Sequence, residues 1–196
     1  MSKLKVDTDL DQRAGLPDEW LFLLRQYPRE SWSEPGKLSP LAAFWLDRHD
    51  GFRHLGAQLD QSLSQFREGE IDADRFGGFF GPGLQQFLTG LHHHHQIEDY
   101  HYFPAFAAAE QRLVHGFELL EADHELIHHR IEQAVGSANA LFAKMQEGDK
   151  DAILRAADTY ADTSGLLISG LMRHLDDEED LIIPLITDRG DDAFEG

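Results

Sequence analysis

The sequence contains no cysteine. That absence excludes disulfides, thiolate zinc sites, cysteine-ligated iron–sulfur clusters and cysteine nucleophiles together, and it removes any redox clue to compartment. Positive charge is scarce. Seventeen Lys and Arg stand against 36 Asp and Glu, a net charge of −19 over 196 residues, which argues against nucleic acid or an anionic membrane as a partner. No stretch approaches the ~20 uninterrupted apolar residues of a membrane helix. The opening MSKLKVDTDLDQ lacks the apolar core of a signal peptide, so the expected address is cytoplasmic. Alternating Val/Ile/Thr-rich runs bounded by turns are also missing, so strands are not expected. What remains is ordinary globular composition, 41% hydrophobic and 27% charged. The exception is histidine, present 12 times.

The hydrophobic periodicity is helical throughout. Residues 1–36 read as an extension with one short helix, in which Pro17 precedes Trp20, Leu23, Leu24 and Tyr27 on a single face. Residues 37–190 read as four long helices, and 191–196 as an acidic tail. Ser39-Pro40 is an N-cap followed by proline at the first helical position; that helix fades at Glu68-Gly69. Asp72 can cap the second, whose start Gly77-Gly78 and Gly81-Pro82-Gly83 are expected to kink or interrupt, leaving a regular part from Leu84 to Glu110. The third spans Phe117 to Gln146 and the fourth Lys150 to Asp188, stopped by Gly190. Long helices with short connections predict an all-α, antiparallel up-down-up-down four-helix bundle.

Two segments repeat at an offset of 80 residues. His94 to Pro104 and His174 to Pro184 both follow His-x-x-x-Glu-[Asp/Glu]-x-x-x-apolar-Pro. His and Glu four residues apart share a helix face, with Cβ atoms about 6 Å apart. The flanking stripes are apolar: Leu91, His94, Glu98 and Ala105 in one segment, Leu171, His174, Glu178, Leu181 and Leu185 in the other. Both pairs therefore point inward. The first helix adds His49 beside Trp45 and Phe52, and the third adds His124 and His128 beside Leu120, Ile127 and Ile131. A dry core cannot satisfy these imidazoles and two carboxylates by mutual hydrogen bonds, and each uncompensated charge would cost several kcal/mol. A pair of cations resolves the conflict, and imidazole with carboxylate suits iron, manganese or zinc. His54, His92, His93, His95, His115 and His129 fall off the inward stripes and read as surface residues, while His101 is a candidate for supporting the site. The prolines at 104 and 184 predict a local kink nearby. A ferritin-like arrangement is disfavoured because the first helix carries no Glu between Gly36 and Glu68.

The order His49, His94-x-x-x-Glu98, His124, His174-x-x-x-Glu178 resembles the hemerythrin-like (HHE cation-binding) family over residues 38–188. The resemblance implies an antiparallel bundle holding two iron ions in a non-haem, carboxylate-bridged centre, with manganese or zinc as replacements. Glu98 and Glu178 would bridge, and the histidines would be terminal ligands. His128 matches a second histidine in the third helix of oxygen carriers. Where those carriers have His-x-x-x-x-Asp, this chain offers His174-x-x-x-x-Glu179, so Glu178 and Glu179 compete for the bridge. The expected function is binding of O₂ for carriage, storage or sensing. The alternatives are a redox enzyme acting on peroxide or nitric oxide, as in iron–sulfur cluster repair, and an iron-sensing module. The expected partner is a diatomic molecule, O₂ or NO, with no nucleic acid and no membrane, for a monomer or homodimer.

Overall fold

A computed structural model describes residues 8–194, all helical or irregular, with no strand among them. Residues 1–7 of the expected extension and 195–196 of the expected tail lie outside the described residues. The elements are α1 (Arg29–Trp32), α2 (Pro40–Arg67), α3 (Ala73–Ile97), a π-helical turn (Glu98–Tyr102), α4 (Phe103–Ala109), a 3₁₀ turn (Gln111–Leu113), α5 (Val114–Glu147), α6 (Lys150–Arg189) and a final 3₁₀ turn (Asp191–Ala193). None of these helices is long and apolar enough to cross a membrane.

The helix ends follow local chemistry. Ser39 Oγ accepts from Ala42 N–H at 3.2 Å, Asp72 Oδ1 from Arg75 N–H at 2.8 Å, and Asp149 Oδ1 from Asp151 and Ala152 N–H at 3.0 and 3.2 Å. Gly69, Gly148 and Gly190 stop three of the helices with φ of +76°, +79° and +78°, a conformation that favours glycine. The break expected at Gly77 to Gly83 does not occur: Pro82 lies inside a continuous α3. Gly83 there permits close packing, since a Cβ at that position would lie 3.2 Å from Leu59 Cδ2. The expected helix at Pro17 to Tyr27 is instead a chain of turns mixing i→i+3 and i→i+4 hydrogen bonds, and among the described residues before Pro40 only Arg29–Trp32 is α-helical.

Two compact units share the four long helices. One comprises the chain up to Asp50, His95–His124, and the chain from Gly170 on; the other comprises Gly51–His94 and Glu125–Ser169. The second unit is a phenylalanine stack, Phe66 on Phe76 at 4.3 Å and Phe76 on Phe80 at 4.5 Å, closed by Tyr160 edge-on to Phe80 at 5.2 Å. The first unit is built around Trp45, Phe103, Phe106, Phe117, Leu120 and the run Leu181 to Ile186. All six residues from 181 to 186 are buried. An α-helix is buried on every side only when something covers its outer face, and here the N-terminal stretch does so. Leu16 and Leu23 join the core, Tyr27 O–H donates to Asp188 at 2.9 Å, and Arg173 donates to the Ala14 carbonyl at 3.2 Å.

Candidate metal centre

The kink expected near Pro104 takes a definite form. Proline has no N–H, so the Tyr100 carbonyl loses its helical partner, and the chain widens by one residue. Phe103 N–H bonds to the Glu98 carbonyl, an i→i−5 bond of the π type. The extra residue shifts the buried stripe. Before it, Leu91, His94, His95 and Glu98 face inward; after it, Phe103 and Phe106 do, and the expected Ala105 is half-buried. In the fourth helix Pro184 lies inside a continuous α6.

Within the first unit, His49, Glu98 and Glu178 are fully buried and offer ligand atoms within 4.8 Å of one another. His94, four residues before Glu98, belongs to the second unit, where it is buried and tilted against Phe52 at 5.1 Å. A second buried group with the same mutual reach consists of His95, His124 and His174. The carboxylates adjoin this tri-histidine group, with His124 Nε2 3.4 Å from Glu98 Oε2 and His174 Nε2 3.6 Å from Glu178 Oε2. The other oxygen-facing nitrogen, His49 Nε2, is 3.5 Å from Glu178 Oε2.

Three of the imidazoles are backed by a carboxylate on their far nitrogen. His124 Nδ1 meets Asp99 Oδ1 at 2.7 Å, His174 Nδ1 meets Asp123 Oδ2 at 3.3 Å, and His49 Nδ1 meets Glu179 Oε1 at 3.0 Å. An ionised carboxylate only accepts, so each Nδ1 donates and each Nε2 is left bare. Burial pushes the carboxyl of Asp123 up, but hydrogen bonds from Arg13 and His174 pull it net below its ordinary value. Burial is also what lowers His174, to about 3. Desolvation raises Glu98 and Glu178 well above the ordinary carboxylate range, and Glu98 beside Glu178 adds repulsion to the latter. Without a cation the two buried acids hold their protons and the His174 ring stays neutral, so a metal ion entering the site would take the place of those protons.

The tautomers sharpen this conclusion. His124 Nε2 and His174 Nε2 lie only 3.1 Å apart. Two bare lone pairs at that distance repel, yet two nitrogens each about 2.1 Å from one ion and at right angles about it would lie about 3.0 Å apart. The donor set therefore fits a metal.

A family model, the hemerythrin HHE cation-binding domain, matches residues 41–186. The chain belongs to that family. No curated protein and no solved structure matches it. As a hemerythrin-type cation-binding domain, the chain has a buried His/Glu cluster that suits metal, and five of the seven residues singled out by sequence come together within the first unit: His49, Glu98, His124, His174 and Glu178, while His94 is buried in the second. His128 falls in neither group of ligands; it is half-buried, and its ring lies 5.1 Å from that of His92 in the second unit. His95, read from the sequence as a surface residue, is fully buried, stacked on His124 at 4.0 Å and 9°, and belongs to the tri-histidine group. An α-helix turns 100° per residue, so adjacent residues can both face a wide interior, and only the four-histidine run itself hinted at this. His101 is exposed. Asp99, Asp123 and Glu179 were not recognised as supports; the one sequence signal was their position directly beside Glu98, His124 and Glu178.

Proposed function

We propose that this hemerythrin-family domain holds two iron ions and binds a diatomic ligand, O₂ in the first place. The ions would be five imidazoles' worth of histidine-ligated metal bridged by two carboxylates: His95, His124 and His174 on one ion, His49 and His94 on the other, with Glu98 and Glu178 between. The close approach of His124 Nε2 and His174 Nε2, both aimed inward by carboxylates behind them, carries this reading. It assigns the bridge to Glu178, because Glu179 is occupied with His49 Nδ1 and Arg29, and it gives the third histidine of the first ion to His95 in place of His128. Manganese or zinc would suit the same donors. We further propose that the four long helices run up-down-up-down and antiparallel; the two-residue connection between α5 and α6 supports this.

When bound, iron supplies reversible one-electron chemistry and an open coordination position for a small ligand. The protein's own part is to hold the ligands and keep water out: Phe103 lies 5.5 Å from His124, and Phe52 is set against His94. Metal analysis of protein expressed with ample iron, together with visible spectra under air and under argon, tests the reading. Two irons per chain and bands that come and go with O₂ are expected; well below one metal per chain would overturn it.

One observation favours a redox enzyme acting on peroxide or nitric oxide as the second reading. Trp45 stands edge-on to His49 at 5.9 Å and to half-buried Tyr102 at 5.0 Å, an oxidisable pair in line with a ligand. Turnover of peroxide that is lost in Trp45→Phe would favour it over reversible binding.

A further inference from the structure

The residues that match the family begin at 41, yet two arginines before that point reach the supports of the site. Arg13 is buried. Its Nη1 donates to Asp123 Oδ1 at 2.8 Å, its Nη2 to Asp123 Oδ2, and its Nε to Asp177 Oδ2 at 2.7 Å. The last carboxylate is held from its other side by Arg173 Nη2 at 2.6 Å. Arg29 donates through Nη1 to Glu179 Oε2 at 3.1 Å, through Nε to Asp180 Oδ1 at 2.7 Å, and through Nη2 to the Asp176 carbonyl at 2.7 Å. Asp123 is the carboxylate behind His174, and Glu179 is the one behind His49. Asp99, behind His124, pairs with no arginine among the described residues. The molecule thus contains two supports gripped by the N-terminal stretch and one that is not.

We infer that residues 9–32 form a strap whose Arg13 and Arg29 are positioning residues, acting on His174 through Asp123 and on His49 through Glu179, and so governing how firmly the domain holds metal. A two-point guanidinium grip fixes the plane of a carboxylate, which a lysine's single point charge does not. Arg13 holds Asp123 in this two-point way, while Arg29 holds Glu179 at Oε2 and leaves Oε1 to His49; each carboxylate so placed keeps one oxygen aimed at an imidazole Nδ1–H, and the ring presents Nε2 to the interior. Losing such an outer partner typically weakens metal binding 10–100-fold. The two arginines act on different ions, His174 belonging to the tri-histidine group and His49 to the other. This inference rests on the metal-binding reading above.

The test uses the full chain as wild type, Arg13→Gln, Arg13→Lys, Arg29→Gln and, as a control, Arg25→Gln. Arg25 lies in the same strap, and its side chain donates to the Asp18 carbonyl at 2.8 Å, away from the carboxylates behind the histidines. Protein loaded with iron(II) is challenged with a chelator, and release is followed in time. Half of the metal is expected to leave 10–100-fold faster from Arg13→Gln and from Arg13→Lys, and half from Arg29→Gln, with Arg25→Gln unchanged. In parallel, the Nδ1–H resonances of nitrogen-15-labelled histidines are recorded on metal-free protein. The His174 signal should be lost in Arg13→Gln and kept in Arg29→Gln. Wild-type release rates and unmoved resonances in both variants would overturn the inference. If wild type takes up no metal, the metal-binding reading fails, and the resonances alone decide the strap. If Arg13→Gln does not fold, Arg13→Lys, which keeps the charge, decides in its place.

Discussion

Replacing Glu178 by Gln should stabilise the metal-free protein increasingly as the pH rises, while abolishing its stabilisation by metal. Glu178 is fully buried, and desolvation and the neighbouring Glu98 raise its pKa well above 4.5. Below the unfolded-state value, near 4.5, both states hold the proton and folding costs nothing extra. Above it, the unfolded chain releases a proton that the folded chain retains, so stability falls by up to about 1.4 kcal/mol per pH unit until the folded value is reached. Gln makes no such demand. Between pH 5.5 and 7.5 the advantage of the variant should therefore grow by up to about 2.7 kcal/mol, or about 5–11 °C in Tm for a chain of this length. His174, lowered to about 3, contributes the opposite trend below 6.5; it is common to both proteins and cancels in their difference. The assay is thermal unfolding of both proteins in chelator at pH 5.5, 6.5 and 7.5, repeated with excess iron(II) under argon. Iron at 100 times its dissociation constant stabilises the wild type by about 2.7 kcal/mol, and that increment should vanish in Glu178→Gln. A metal-free difference that is flat with pH, or a variant that melts below wild type at pH 7.5, would refute the reasoning.

Further outcomes follow from the same geometry. His95→Ala should lower bound metal from two ions to one per chain by elemental analysis, whereas His128→Ala should leave two. Glu179→Gln should weaken metal retention about 10–100-fold without removing an ion, because its carboxylate supports His49 and does not face the interior as Glu178 does; competition with a chelator separates the two variants. Gly116→Ala places a Cβ 2.6 Å from Leu181 Cδ1, and Leu181 is itself buried. Overpacking of about 1–3 kcal/mol offset by about 1 kcal/mol of helix propensity leaves a net loss of up to about 2 kcal/mol, read as a lower Tm. Phe103→Ala should cost about 3–5 kcal/mol in chemical denaturation, since the ring is buried against Phe117 and His124.

The four long helices were legible because proline, glycine and capping residues mark their ends: Ser39-Pro40, Asp72, Gly148 and Gly190 all sit where the chain turns. The inward histidines and glutamates were legible too, since each lies on an apolar stripe of helical period. The misreadings have separate causes. Gly77 to Gly83 looked like a break because local propensity ignores the tight packing against Leu59 that glycine permits. Ala105 was misassigned because a single period was carried through a turn that does not keep it, and His95 because a narrow stripe was assumed where the interior admits two adjacent residues. Arg13 was invisible, since an irregular stretch has no period from which burial can be read, and its partners Asp123 and Asp177 lie 110 and 164 residues away.

The wide turn at Glu98 works as a gear between two frames of reference. Glu98 and Phe103 both point inward although five residues separate them, a spacing that an unbroken α-helix turns through about 500°, well off the starting face. A helix of regular pitch could present the carboxylate or the phenylalanine to the interior, but not both. Tightening the turn to a regular α-helix without changing the number of residues would swing Phe103 and Phe106 off that face, whereas removing one residue would put Phe103 about 400° from Glu98 and back on it. At this point the protein depends on an imperfect helix: the width of the turn here is as much a part of the site as the side chains that line it.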